Sequence, residues 1–63
     1  MKIGEALKNA RERKGLTQKE LAEMLYVHHS LICKWEKGKR EITLSALVKI
    51  EDVLEMSIYK EYI

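Results

Sequence analysis

The sequence predicts an all-α chain, a compact bundle of four to five short helices. Two features of composition point there: there is no proline and glycine occurs only three times in 63 residues, and charged residues, 35% of the chain, interleave with Leu, Ile and Ala. That mixture favours packed helices over a sheet or a disordered tail. The third observation is that helix start and stop signals recur at short intervals along the chain.

The first helix is read from Ile3, Leu7 and Ala10, which recur at helical spacing between Lys, Glu and Arg, so it spans about 2–14. Gly15 stops it, because glycine takes the left-handed conformation that follows a last turn. Thr17-Gln18-Lys19-Glu20 is a capping box, with the Thr17 hydroxyl accepting from the Glu20 amide and the Glu20 carboxylate returning to Thr17. The second helix is therefore short, about 18–25, and buries Leu21, Ala22 and Leu25. After a break at 26–28, a third helix runs to about Lys37 and stops at Gly38. Thr43 caps a fourth helix whose apolar residues are Leu44, Leu47, Val48, Ile50 and Leu54. Ser57 caps a last short turn holding Ile58, Tyr59 and Tyr62.

Size and composition narrow the function. The 63 residues suffice for one domain, 1–63, with no length for an effector-sensing module, so no small-molecule effector is expected. A single cysteine allows no intrachain disulfide and suits a reducing cytoplasm. No apolar run approaches the ~18 residues of a membrane span, and no signal-peptide core follows the basic start. The net charge of +2 conceals an asymmetry. Up to Arg40 there are ten Lys/Arg against five Asp/Glu, and from Glu41 onward two against five. A basic front and an acidic back provide the field a polyanion-binding surface needs, although an ordinary solvated surface has the same look.

On the third helix, residues advance by roughly 100°. With His29 at zero, Leu31 falls near ~200°, Trp35 near ~240° and Ile32 near ~300°, which defines a buried side. His29, Ser30, Cys33 and Lys34 fall on the opposite arc. That face is small and polar, carries one cation, and fits the DNA major groove, which is about wide enough for one helix. Two short helices joined by a tight turn, the second presenting such a face, make a helix-turn-helix.

The stretch LTQKELAEMLYVHHSLICKWEKGKR resembles the helix-turn-helix of the phage-repressor and Cro type, the XRE family. Gly15-Leu16-Thr17-Gln18, Glu20-Leu21-Ala22, Val27, Ile32, Trp35-Glu36 and Gly38 fall in its register, and the likeness runs from Ile3 through LSALVKIEDVLEMS. The resemblance implies a bundle of the phage-repressor type, with helices 2 and 3 forming the motif. It implies sequence-specific binding of double-stranded DNA by a cytoplasmic transcriptional regulator, a repressor, that is a homodimer on a palindromic operator and needs no cofactor. His29, Ser30 and Lys34 would contact base edges, with Cys33 at the rim. Gln18, Lys19, Arg11, Lys37, Lys39 and Arg40 would contact phosphates, which positions the domain without specifying sequence. Arg11 and Glu36 would form a structural ion pair, and Ile58, Tyr59, Tyr62 and Ile63 the dimer contact. Two departures stand out. The family has glycine where this chain has Tyr26 and Glu55, so a differently shaped turn is expected, and His28 replaces the usual Ser or Thr cap.

Three rival readings need weighing. His29 and Cys33 are spaced i, i+4 and could share a metal with His28, but a closed zinc site needs four ligands, so no metal is expected. No glycine-rich phosphate loop or nucleophile elbow is present, and the chain reads as a non-enzyme. The remaining alternative is a protein-interaction module, antitoxin-like or anti-repressor, using Tyr26, Trp35, Tyr59, Tyr62 and Ile63 on a protein partner.

Overall fold

Thr17 opens its helix as the sequence predicts. Its Oγ1 accepts from the Glu20 amide at 3.0 Å, and its own N–H donates to Glu20 Oε1 at 2.8 Å. The computed structural model describes residues 2–62, with side chains described through Lys60. Within them lie α1 (Ile3–Arg13), α2 (Gln18–Leu25), α3 (His29–Glu36), α4 (Leu44–Leu54) and α5 (Tyr59–Tyr62), and no strand. Thr43 caps α4 by accepting from the Ala46 amide at 3.2 Å. At α5 the expectation of a Ser57 cap gives way to a more distant group. The amides of Ile58 and Tyr59 donate to Glu51 Oε2 at 2.7 and 3.0 Å, so a carboxylate on α4 holds the start of α5.

The first four helices end in one hydrogen-bond pattern. After α1, Gly15 N–H donates to Glu12 O and Leu16 N–H to Arg11 O; after α3, Gly38 donates to Trp35 O and Lys39 to Lys34 O. Both glycines are left-handed, with φ of 69° and 74°. Tyr26 and Glu55 do the same without glycine. Tyr26 donates to Glu23 O and Val27 to Ala22 O, while Glu55 donates to Asp52 O and Met56 to Glu51 O. Their φ values are 59° and 53°. The expected change of turn shape is therefore overturned: the closing hydrogen bonds and the burial of the flanking helices hold both residues where glycine would sit.

The core takes Ala6, Leu7 and Ala10 from α1, Leu21, Ala22 and Leu25 from α2, Ile32 and Trp35 from α3, and Leu47, Ile50 and Leu54 from α4. Leu44 and Val48 lie off the inward face of α4 and are 77% and 59% exposed. Ile58 corrects the sequence reading. Expected at a dimer contact, it is fully buried in the chain's own core, whereas Tyr59 is half exposed. The Tyr62 side chain and Ile63, named for the same contact, lie outside the described residues. Among those residues no helix is long and apolar enough to cross a membrane.

Candidate nucleic-acid interface

Ile32 and Trp35 turn α3 inward, and Leu31 packs against the core from the edge. The opposite arc is left outward, so His29, Ser30 and Lys34 are exposed and Cys33 is partly exposed. His29, Ser30, Cys33, Lys34 and Lys37 line one open depression of about 430 Å³ together with Gln18 at the start of α2 and Lys39 beyond α3. Seven of the residues expected to touch DNA thus border a single surface. Three expected phosphate contacts do not join it. Lys19 is exposed but outside the lining, and Arg40 borders a separate depression beside Gly4 and Trp35. Arg11 is 8% exposed and points inward.

Arg11 is held by three hydrogen bonds. Its Nε donates to Glu36 Oε2 at 2.7 Å, its Nη2 to Glu36 Oε1 at 3.1 Å, and its Nη1 to the Leu16 carbonyl at 2.7 Å. The ion pair joins α1 to the end of α3. The hydrogen bonds that Arg11 donates to the Glu36 carboxylate raise the guanidinium's pKa, while burial works in the opposite direction. Arg11 therefore keeps its charge throughout the range below ordinary guanidinium titration, and the stabilisation from this shift is complete there.

Two features of the site were not read from the sequence. Gln18 Nε2 donates to Glu36 Oε1 at 2.9 Å, so the same carboxylate ties the start of α2 to the end of α3. Gly4 lets α1 press against the last turn of α3. A Cβ there would come within 2.8 Å of the Glu36 carbonyl oxygen, and closer still to that of Trp35. The signal was available in part, because a glycine inside a helix is unfavourable unless close approach requires it.

The start of α3 is more lightly held. His28 Nδ1 accepts from the Ser30 amide at 3.1 Å and lies 2.8 Å from Ser30 Oγ. The His28 and His29 rings are 4.4 Å apart at a 30° tilt. Among the described residues, no group of three or more His, Cys, Asp or Glu side chains is placed to hold a metal ion.

A family model described as Helix-turn-helix matches residues 7–60. The chain belongs to the XRE-type helix-turn-helix family. Among the family's members, the HTH-type transcriptional activator BcrR of Enterococcus faecalis is 40% identical over 58 residues, covering 92% of this chain and 28% of BcrR. The cryptic phage CTXphi transcriptional repressor RstR of Vibrio cholerae is also 40% identical over 58 residues, covering 92% of this chain and 52% of RstR. This XRE-type chain thus spans between about a quarter and a half of those two relatives. The crystal structure of the clp gene regulator ClgR from C. glutamicum superposes with a TM-score of 0.85 at 31% identity, over 92% of this chain and 75% of that one. The four-to-five-helix bundle of phage-repressor type expected from the sequence is the fold observed.

Proposed function

We propose that this XRE-type chain is the DNA-reading part of a cytoplasmic transcriptional regulator. It binds double-stranded DNA with sequence preference by seating α3 in the major groove. The observation that carries this reading is the shared exposure of His29, Ser30 and Lys34 along a depression rimmed by Lys37 and Lys39. Lys34 donates to guanine O6 and N7, and His29 and Ser30 address neighbouring base edges with Cys33 at the rim. Lys37, Lys39 and Gln18 hold phosphates, with Lys19 and Arg40 supporting them at longer range. Gln18 sits at a helix start, where free amides favour an anion. Arg11 steadies α3 through Glu36, so its contribution to phosphate binding is indirect.

Repression is the mode we assign, because occupying a site is enough to block it and requires no further surface. One copy offers few contacts, so two copies on a palindromic site are part of the reading, with half-sites about one helical turn, ~34 Å, apart. With Ile58 buried, the surface for the second copy moves to the exposed stripe of Leu44 and Val48 with Tyr59 beside it; Leu44 and Tyr59 border one depression. The reading is of a binding domain without catalysis, cofactor or small-molecule effector.

Selection of bound duplexes from a random pool, followed by titration against salt, tests the proposal. A recovered consensus with affinity falling steeply as salt rises is the expected result, because phosphate contacts release counterions. Recovery of no consensus, with tight capture of a protein partner instead, would overturn it in favour of an interaction module. A mass that stays monomeric at every concentration, with and without the selected duplex, would remove the dimer.

A further inference from the structure

We infer that His28 fixes the hydrogen-bond polarity of Ser30, so that Ser30 reads the DNA only as an acceptor and selects an amino base, adenine or cytosine, over guanine or thymine on the strand it touches. The inference rests on the DNA-reading function proposed above and adds a specificity-determining residue to it.

Of the two groups of Ser30 that meet the imidazole, the backbone amide has a fixed direction. The Ser30 backbone N–H lies 3.1 Å from His28 Nδ1, and an amide nitrogen donates and never accepts. Nδ1 therefore presents its lone pair, and the proton of the neutral ring sits on Nε2. Ser30 Oγ is 2.8 Å from the same Nδ1. Two bare lone pairs at that distance would repel, so the hydroxyl hydrogen must point at the ring. A serine hydroxyl has only one hydrogen. Once His28 takes it, the face that Ser30 shows to solvent holds lone pairs alone.

The chain contains its own comparison. At the start of α4, Thr43 and Ser45 stand in the same i, i+2 relation, with their hydroxyl oxygens 3.3 Å apart. Each carries a hydrogen and either can donate, so Ser45 keeps both options. Thr17 and Thr43 cap by reaching the amide three residues on, at Glu20 and Ala46. His28 instead engages both the amide and the hydroxyl of the residue two positions on. An imidazole in place of a hydroxyl cap thus turns an ambiguous serine into a directional one. That gives a chemical role to a residue that is unusual for a cap.

In the major groove the difference is readable. Adenine N6 and cytosine N4 carry donors, whereas guanine O6 and thymine O4 are acceptors. An unrestrained serine serves either class. An acceptor-only serine binds the amino bases and faces lone pairs opposite the keto bases.

The test uses selection from random duplexes with the full chain and with Ser30→Ala, His28→Gly and Lys34→Ala. Glycine is chosen because it is tolerated at a helix cap, and a thermal melt checks that the fold persists. Ser30→Ala identifies the Ser30 base position as the one whose preference disappears. At that position the parent chain should prefer adenine or cytosine by about tenfold, the scale of one good base contact. His28→Gly should flatten that preference and leave the Lys34-dependent position intact. A preference for guanine or thymine there, an unchanged preference in His28→Gly, or no Ser30-dependent position would overturn the inference and leave DNA reading by α3 standing. Absence of any sequence preference in the parent chain would overturn the DNA-reading function itself, and this inference with it.

Discussion

The two ends of α3 are held very differently. Its last turn is gripped by charge and by backbone contact. Glu36 accepts from Arg11 on α1 and from Gln18 on α2, its side chain is 3% exposed, and Gly4 brings α1 against the carbonyls of Trp35 and Glu36. The first turn packs on the core through Ile32, but its polar capping rests on one exposed imidazole that bonds within its own turn. A reading helix needs both arrangements. The anchored end sets the direction in which the helix projects, and the lightly held end leaves His29 and Ser30 uncovered. Stability is concentrated beneath the last turn, on Trp35 and Glu36, while Lys34 in that same turn stays exposed.

The contrast can be broken most severely at Glu36. Glu36→Ala leaves the Arg11 charge, its side chain 10% exposed, without a partner and removes the Gln18 acceptor. We predict a loss of about 3 kcal/mol, read by denaturant unfolding, because truncating one member of a buried pair strands the other. A loss no larger than that of an exposed substitution such as Lys8→Ala would mean that the ion pair does not anchor α3. Gly4→Ala comes next, at about 1–3 kcal/mol, since a methyl there meets backbone rather than a flexible side chain. Unchanged stability would show that α1 shifts away freely.

The helix ends provide the third test, with opposite signs. A Cβ at Gly15 or Gly38 would meet nothing within 4 Å, so Gly15→Ala and Gly38→Ala should cost only the left-handed backbone term, about 1–2 kcal/mol. Tyr26→Gly and Glu55→Gly should stabilise by about 0.5–1 kcal/mol, since both residues occupy that conformation with a Cβ. Thermal melts of the four variants compare them directly, and the same sign in both pairs would refute the strain account. The smallest effect belongs to the light end. His28→Gly should change stability by a few tenths of a kcal/mol, roughly a tenth of the Glu36→Ala effect.

Much of this was legible in the sequence because local chemistry fixes it. The Thr17–Glu20 capping box set α2 at the residues observed, Gln18–Leu25, and Thr43 set the start of α4. The buried arc of Ile32 and Trp35 and the outward arc of His29, Ser30 and Lys34 followed from helical periodicity. What escaped was tertiary. A four-residue helix shows no periodicity, so nothing local marked Ile58 as core, and the Glu51 cap of α5 spans seven residues. Tyr26 and Glu55 misled because propensity counts the strain of a left-handed residue but not the hydrogen bonds that impose it. Gln18 was read only as a phosphate contact, and its second tie, an amide nitrogen donating to Glu36, went unseen because that partner lies eighteen residues away.

The central claim is that α3 discriminates while the lysines beside it only attract. It is tested most directly by titrating Lys34→Ala and Lys39→Ala against the selected duplex and an unrelated one across a range of salt. Lys34→Ala should narrow the gap between the two duplexes. Lys39→Ala should weaken both alike and reduce the salt slope by about one. Equal loss of preference from the two variants would contradict the division of labour on which the account depends.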